Sequence, residues 1–410
     1  MLRLSTIPLI GDKRPIEPGG AAFLLTSPPA QDLIFPLGAA EIELRSGQPY
    51  VVARFAPVVD PTTAFAVGHY LAQQGLDLMS ILGTLDAVIR DAEDEHLIWW
   101  AEKAGIVVRA VSTTLLRFVV GPIKVIVRDN EGNEVPPKSV QPRHHIGFRF
   151  FRLAQATDDF FEAYRNMYLA FESLVSSHYP KLDNEREIDW LRRALKSASA
   201  ALRLDGLRVS PTGDLVDSIV DSILAVVYKD ARLPLFHAKE GRHYFAPHDS
   251  SSDREAVSRA LALLTQIVMR MAEAWFDARR TGGGVFFGWV YENARKMLAE
   301  SSAYASSYDG PFDASERDLS HLRFQTAAKL QTRLAPELQR GREPAVLSVA
   351  SGAELSQVNP VRRVELASGA GPFIAHILEA PLELDGISRF EDLMHIRAMN
   401  LNQPRSLFHK

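Results

Sequence analysis

The chain has 410 residues, 46% hydrophobic and 23% charged, with 50 acidic against 46 basic side chains and a formal net charge of -4. That length exceeds one ordinary core and predicts two or three domains. The charge excludes a protein that coats nucleic acid through general basicity, though not a local basic patch, and the absence of cysteine excludes disulfides, thiolate metal sites and cysteine nucleophiles.

Met1–Ile10 has too short an apolar run before Asp12-Lys13-Arg14 for a signal peptide. No stretch reaches the length of about 18 apolar residues that a membrane span needs. A cytoplasmic chain with no membrane partner is expected. Eight prolines punctuate residues 1–59, which predicts short extended pieces, best at Ile42–Leu44 and Tyr50–Phe55. Asp60-Pro61 reads as a helix start, with Asp as N-cap and Pro in the first turn. The stripe Phe65, Leu71, Leu76, Met79 and Leu82 carries that helix to about Gly83, and a second short helix is expected over Leu85–Glu93. Leu97–Trp100, Ile106–Ser112, Leu115–Val120 and Ile123–Arg128 read as antiparallel strands, with a hairpin turn at Asp129–Asn133. Alternation puts one ring of Trp99-Trp100 inward and one outward, where it would either pack or stack a base.

From about Phe148 the periodicity changes to helical. Phe160, Phe161, Tyr164, Met167, Tyr168, Phe171, Leu174 and Val175 define one helix, and Ile188–Leu204 a second. Leu215–Val227 gives a third that runs into Arg232, and a region capped by Asp249–Asp253 starts a fourth ending near Arg280. Gly282–Gly284 reads as a linker, since no Gly-Lys-Ser/Thr follows. Val285–Tyr291 suits strand or helix, Ser301–Asp318 a loop. Leu319–Leu334, Ala345–Ala350, Arg362–Leu366, Phe373–Leu384 and Phe390–Met399 read mostly as extended. The expected fold is α+β: β-rich residues 1–147 with one or two helices, a central four-helix bundle over 148–281, and β-rich residues 282–410.

Tyr228–Pro247 concentrates Arg232, His237, Lys239, Arg242 and His243. An arginine can neutralise a phosphate and a histidine can move a proton near neutral pH. The same residues at a helix C-terminus can also just cap carbonyls and complement the dipole. Lys239, Arg242 and His243 are candidate substrate contacts or a solvated loop. His144-His145, with His237, His243 and His248, lacks the spacing of a metal motif. No metal or other cofactor is expected.

The segment Phe148–Arg280 resembles the HEPN superfamily of four-helix domains. Its active members carry Arg, four to six residues, then His near a helix end, and Arg232 and His237 match. Tyr228-Lys-Asp-Ala-Arg-Leu-Pro-Leu-Phe-His-Ala-Lys has the same cadence. Glu172, in the helix carrying Ala163-Tyr164-Arg165, matches an acidic residue that faces the motif. Leu233 departs from the pattern, since active members commonly place Asn, Asp or His after the arginine. Phe148–Lys181 with Phe236-His-Ala-Lys-Glu also resembles bacterial methylamine-utilisation accessory proteins. The HEPN resemblance implies a metal-independent endoribonuclease in anti-phage defence or a toxin-like stress response. Arg232, His237 and Glu172 would be catalytic, RNA the substrate, and the site shared across a homodimer, with a regulatory protein partner. The alternative it leaves open is a non-catalytic sensor or scaffold using the bundle for dimerisation or ligand binding.

Overall fold

The computed structural model describes residues 2–10, 19–116, 131, 141–157, 159–207, 218–237, 243–245, 251–278, 287–308, 327–340, 343–368 and 371–398. The chain divides into a sheet unit, drawn from Met1–Arg117 and Phe286–Met399, and a helical unit drawn from Phe118–Val285. This corrects the expected fold class. The dominant feature is one 14-stranded mixed sheet, rather than a central four-helix bundle with separate β-rich flanks. Hydrophobic periodicity reveals elements one at a time. It does not reveal that strands far apart in the chain share a sheet. Among the described residues, no helix is long and apolar enough to cross a membrane.

The strands are β1 Leu2–Leu4, β2 Ile7–Ile10, β3 Gly19–Leu24, β4 Leu33–Leu37, β5 Ala40–Leu44, β6 Tyr50–Phe55, β7 Glu95–Glu102, β8 Gly105–Leu116, β9 Ser302–Ser306, β10 Ala328–Leu334, β11 Ala345–Ser351, β12 Val361–Ser368, β13 Gly371–Leu384 and β14 Arg389–Ala398. Their order across the sheet is β2-β1-β13-β12-β9-β10-β11-β14-β8-β7-β3-β6-β5-β4. Every pairing is antiparallel except β14 with β8, where Arg389 lies opposite Val107 and Ala398 opposite Leu116. That parallel pair joins the two ends of the chain. The ion pair Arg109–Glu391, at 2.6 Å and largely buried, fastens it from the side.

Strand β10 turns a corner. Its first half pairs with β9, up to Leu330 opposite Ala303, and its second half pairs with β11 from Gln331 onward. The two arms of the sheet therefore share a core. Leu2, Val364, Leu366 and Leu382 from one arm are buried with Ala22, Val52, Leu97, Trp99, Val108 and Phe390 from the other. Helix α1, Pro61–Ile81, covers the opposite face of β3, β5 and β6. Asp60 caps it, accepting from the Thr63 N–H at 2.8 Å. Gly68 and Gly75, two turns apart, let it approach closely. A Cβ on Gly68 would stand 2.4 Å from Ala21 Cβ, and one on Gly75 2.7 Å from Ile42 Cγ1. Because the sheet is covered on both sides, Trp99 and Trp100 are both buried, one in each core. Neither presents an exposed ring to a base.

Three local expectations change. The helix expected over Leu85–Glu93 is absent. Thr26 N–H donates to Val88 O and Arg90 N–H to Leu24 O, so this backbone is satisfied alongside β3. The stretch Ser301–Asp318, read as loop, contains β9. Its inward residues are Ala303 and Ala305, too small to mark a hydrophobic strand. Of Val285–Tyr291, the described residues, from Phe287 onward, start a helix, Phe287–Ala299. The turn at Asp129–Asn133, apart from Glu131, lies outside the described residues, as do residues 117–130 and Gly282–Gly284.

The helical unit contains α2 Gly147–Ala156, α3 Phe160–His178, α4 Glu187–Leu202, α5 Ile219–Leu224, a π-helical continuation Ala225–Arg232, α6 Leu233–Phe236 and α7 Ser251–Phe276. Asp159 caps α3 through the Glu162 N–H, and Ser218 caps α5 through the Asp221 N–H. One core runs through the unit, with Tyr164, Met167, Phe171, Leu191, Leu195, Ile223, Leu261, Leu264 and Ile267 fully buried.

Candidate functional site

The sequence from Ile219 to Phe236 stays helical but changes register. After α5 the backbone widens into π geometry and narrows again at Leu233. Pro234, which has no N–H to donate, sits in the first turn of α6, where none is needed. Wide turns of this kind are frequent at functional sites. The helix ends at His237, whose backbone is extended (φ -138°, ψ 93°). The chain is tied back where the Phe245 N–H donates to Pro234 O at 3.1 Å.

Arg232, the last residue of the π segment, is held by one carboxylate and three rings, while its buried Nε has no partner. Its Nη2 lies 2.9 Å from Glu187 Oε2. Its guanidinium carbon lies 5.0 Å from the Tyr228 ring centre, 5.5 Å from Phe236 and 5.6 Å from Tyr168. Glu187 is the first residue of α4, where a carboxylate complements the helix dipole. It also accepts the Tyr168 hydroxyl at 2.9 Å and the Tyr228 hydroxyl at 3.4 Å. Burial, and secondly the Glu187 carboxylate, push the pKa of both tyrosines up, so they stay neutral donors. Tyr164 anchors the π segment itself, donating to Val227 O at 2.5 Å.

Glu172, half-buried on α3, completes the electrostatics. Burial raises its pKa first, and Glu187 adds to the rise, while Arg232 and Lys181 oppose it. A carboxyl whose folded pKa lies above its unfolded value stabilises the fold below the unfolded pKa, near 4.5. That stability is lost as pH rises through the folded pKa. Glu172→Gln should therefore raise the urea midpoint at pH 7, and the gain should vanish below about pH 4.5. An equal gain at both pH values would show that the carboxylate charge is not the cause.

The structure thus brings Arg232 and Glu172 into one electrostatic cluster. It places His237 at the helix end beside Phe236, exposed to solvent. His243 is exposed, with Nε2 3.7 Å from Asp253 Oδ1 and its ring against Phe245. Lys239 and Arg242 lie outside the described residues. Leu233 and Phe236 are each 37% exposed, and Arg165 from α3 lies over the outer side of Phe236 at 5.5 Å. Sequence reasoning missed Glu187, 45 positions before Arg232. Its one sequence signal, an acid at a helix start, is shared with many residues that only cap. His144 and His145 lie against Phe148 instead, and the His145 ring also meets Phe276 at 4.9 Å. Among the described residues, no group of three or more His, Asp or Glu could hold a metal ion.

The helical unit therefore has a built polar site: an arginine boxed by three rings and aimed by a carboxylate. It is also the part with recognisable relatives. Residues 148–273 match the model of a family described as methylamine utilization protein MauJ. The match spans the helices carrying Glu172, Glu187 and Arg232 and leaves the sheet unit outside it. No curated protein and no solved structure matches the chain.

Proposed function

We propose that the helical unit is a metal-independent endoribonuclease of HEPN type. The observation that carries this reading is a guanidinium fixed by Glu187 and three rings, five residues before an exposed histidine at the same helix end. His237 would take the proton of an RNA 2′-hydroxyl. The freed oxygen would attack the adjacent phosphorus, and the 5′-oxygen would leave, giving a 2′,3′-cyclic phosphate. Arg232 would stabilise the charge that develops on the phosphate oxygens. Glu187 aims Arg232. Glu172, pushed towards its neutral form, lessens the negative charge a phosphate would meet. Lys239, Arg242 and His243 would contact neighbouring phosphates. A homodimer would pair two such helix ends into one cleft, with a regulatory partner holding it in check. Anti-phage defence or a toxin-like stress response is the setting this chemistry suits.

A second reading is favoured by one observation. Arg232 is already neutralised by Glu187, and the residues beside it, Leu233 and Phe236, present apolar surface. On this reading the unit is a non-catalytic sensor or scaffold that dimerises or binds a ligand there. Mixed RNA incubated in EDTA separates the two. Wild type should cleave and leave cyclic phosphate ends, and His237→Ala should cut at least about 100-fold more slowly. A folded dimer that leaves RNA intact would sink the nuclease and leave the scaffold. The matched family's description names a metabolic setting and no reaction, so the chemistry proposed rests on the residues.

A further inference from the structure

The sheet unit carries a surface cavity of about 440 Å³ at the point where β10 changes partners. The β9–β10 ladder stops at Leu330 opposite Ala303, and β10 pairs with β11 from Gln331 on. There the Ala303 N–H is accepted by Thr332 Oγ1, at 3.2 Å, in place of a backbone carbonyl. The volume falls within the range of about 300–1,000 Å³ usual for small-molecule sites. Among the described residues, Leu330 is the one apolar side chain lining it. The others are Ser301, Ser302, Lys329, Gln331, Thr332 and Glu354. So polar a wall suits a small polar ligand.

Strand alternation sorts these side chains. Ala303, Ala305, Ala328 and Leu330 face the core between the two arms of the sheet. Ser302, Lys329 and Gln331 therefore stand on the opposite face. Glu354 joins them from the short helix Ala353–Val358, which follows β11. Its Oε1 accepts from Gln331 Nε2 at 3.2 Å and its Oε2 from the Ser351 N–H at 3.3 Å, so the carboxylate is held in one orientation. Each carboxylate oxygen can accept a second hydrogen bond, and so can the Gln331 amide oxygen. Among the described residues, the Lys329 ammonium and the Ser302 hydroxyl have no hydrogen-bond or ion-pair partner.

One cation and one anion thus line the same cavity without pairing with each other. A small anion there would gain Lys329 but face Glu354, and a small cation the reverse. A molecule carrying both charges meets a partner at each end. We propose that this cavity is a binding site for a free α-amino acid, held as its zwitterion. The ligand carboxylate accepts from the Lys329 ammonium and the Ser302 hydroxyl. The ligand ammonium donates to the Glu354 carboxylate and the Gln331 amide oxygen. The site lies wholly on the sheet unit and makes no use of Arg232.

L-Alanine is the probe, since its frame is common to the class. It is titrated against the full chain at pH 7 and read by calorimetry and thermal unfolding. Charge pairs near solvent are weak, so the titration runs to about 50 mM. Alanine should bind saturably. Propionate and ethylamine, which each keep one charged end of alanine, should bind at least about tenfold more weakly. Lys329→Met and Glu354→Gln should each weaken alanine by at least about tenfold as well. The proposal is overturned if alanine gives no saturable response in wild type, if propionate or ethylamine matches it, or if Lys329→Met binds alanine as wild type does. Lys329 is exposed and pairs with nothing, so that variant folds and decides even if Glu354→Gln does not.

Discussion

Asp392→Ala should destabilise the sheet unit by about 3–5 kcal/mol, measured as a fall in the urea midpoint. The side chains of Asp392 and His376 are both 1% exposed and 2.5 Å apart, so neither has water to fall back on. His376 Nε2 already has no partner. Losing Asp392 would strand the second ring nitrogen too, in a core lined by Ile374, Leu378, Phe390 and Met394. Replacing both partners with apolar side chains of similar volume removes the stranded atoms along with the pair. His376→Phe/Asp392→Leu should therefore recover most of the loss. If single and double variants unfold at the same midpoint, the two residues do not act as a unit.

Glu187→Leu should cost the helical unit about 3 kcal/mol and, on the nuclease reading, slow RNA cleavage as well. One carboxylate serves Arg232, Tyr168 and Tyr228 together, so its loss leaves a guanidinium and two hydroxyls without their acceptor. The side chains of Arg232 and Glu187 are 19% and 22% exposed, so water recovers part of the loss, and the cost stays below that at Asp392. Glu187→Gln keeps an acceptor oxygen and should lose about half as much stability. The nuclease reading requires more: cleavage must fall in both variants, because Arg232 loses the group that aims it. Wild-type cleavage by a folded Glu187→Leu protein would remove Glu187 from the mechanism.

The helices and most strands were legible in the sequence because their signals are local. Asp60-Pro61 marks a cap and a first turn, and the aromatic stripe from Phe160 to Val175 is the buried face of α3. Tyr50–Phe55 and Ala345–Ala350 read as strands because β-branched and aromatic residues fill them. The sheet was not legible. Nothing near Val107 says that its neighbour is Arg389, and the registers across β14 and β8 depend on shape, not on motif. Arg232, Glu172 and His237 were singled out by pattern. Glu187 was not, since only the fold carries the start of α4 to the end of the π segment. The pair His376–Asp392 left no trace either. His376 sits in a largely apolar run and Asp392 is one of two adjacent acids, Glu391 and Asp392, and their meeting requires β13 and β14 to face one interior.

The parallel seam between β14 and β8 also orders events during synthesis. Arg109 meets Glu391 across it, 282 residues further along the chain. While the ribosome makes those residues, the β8 edge that β14 will cover has no partner, and Phe118–Val285 of the helical unit emerges in the meantime. Contacts this distant form late, and an unpaired hydrophobic edge invites pairing with other chains. A nascent chain halted before Arg389 would have Phe118–Val285 already made and a half-sheet still open at β8. For this protein, a pause in translation at that point is an aggregation hazard that a chaperone would have to shield.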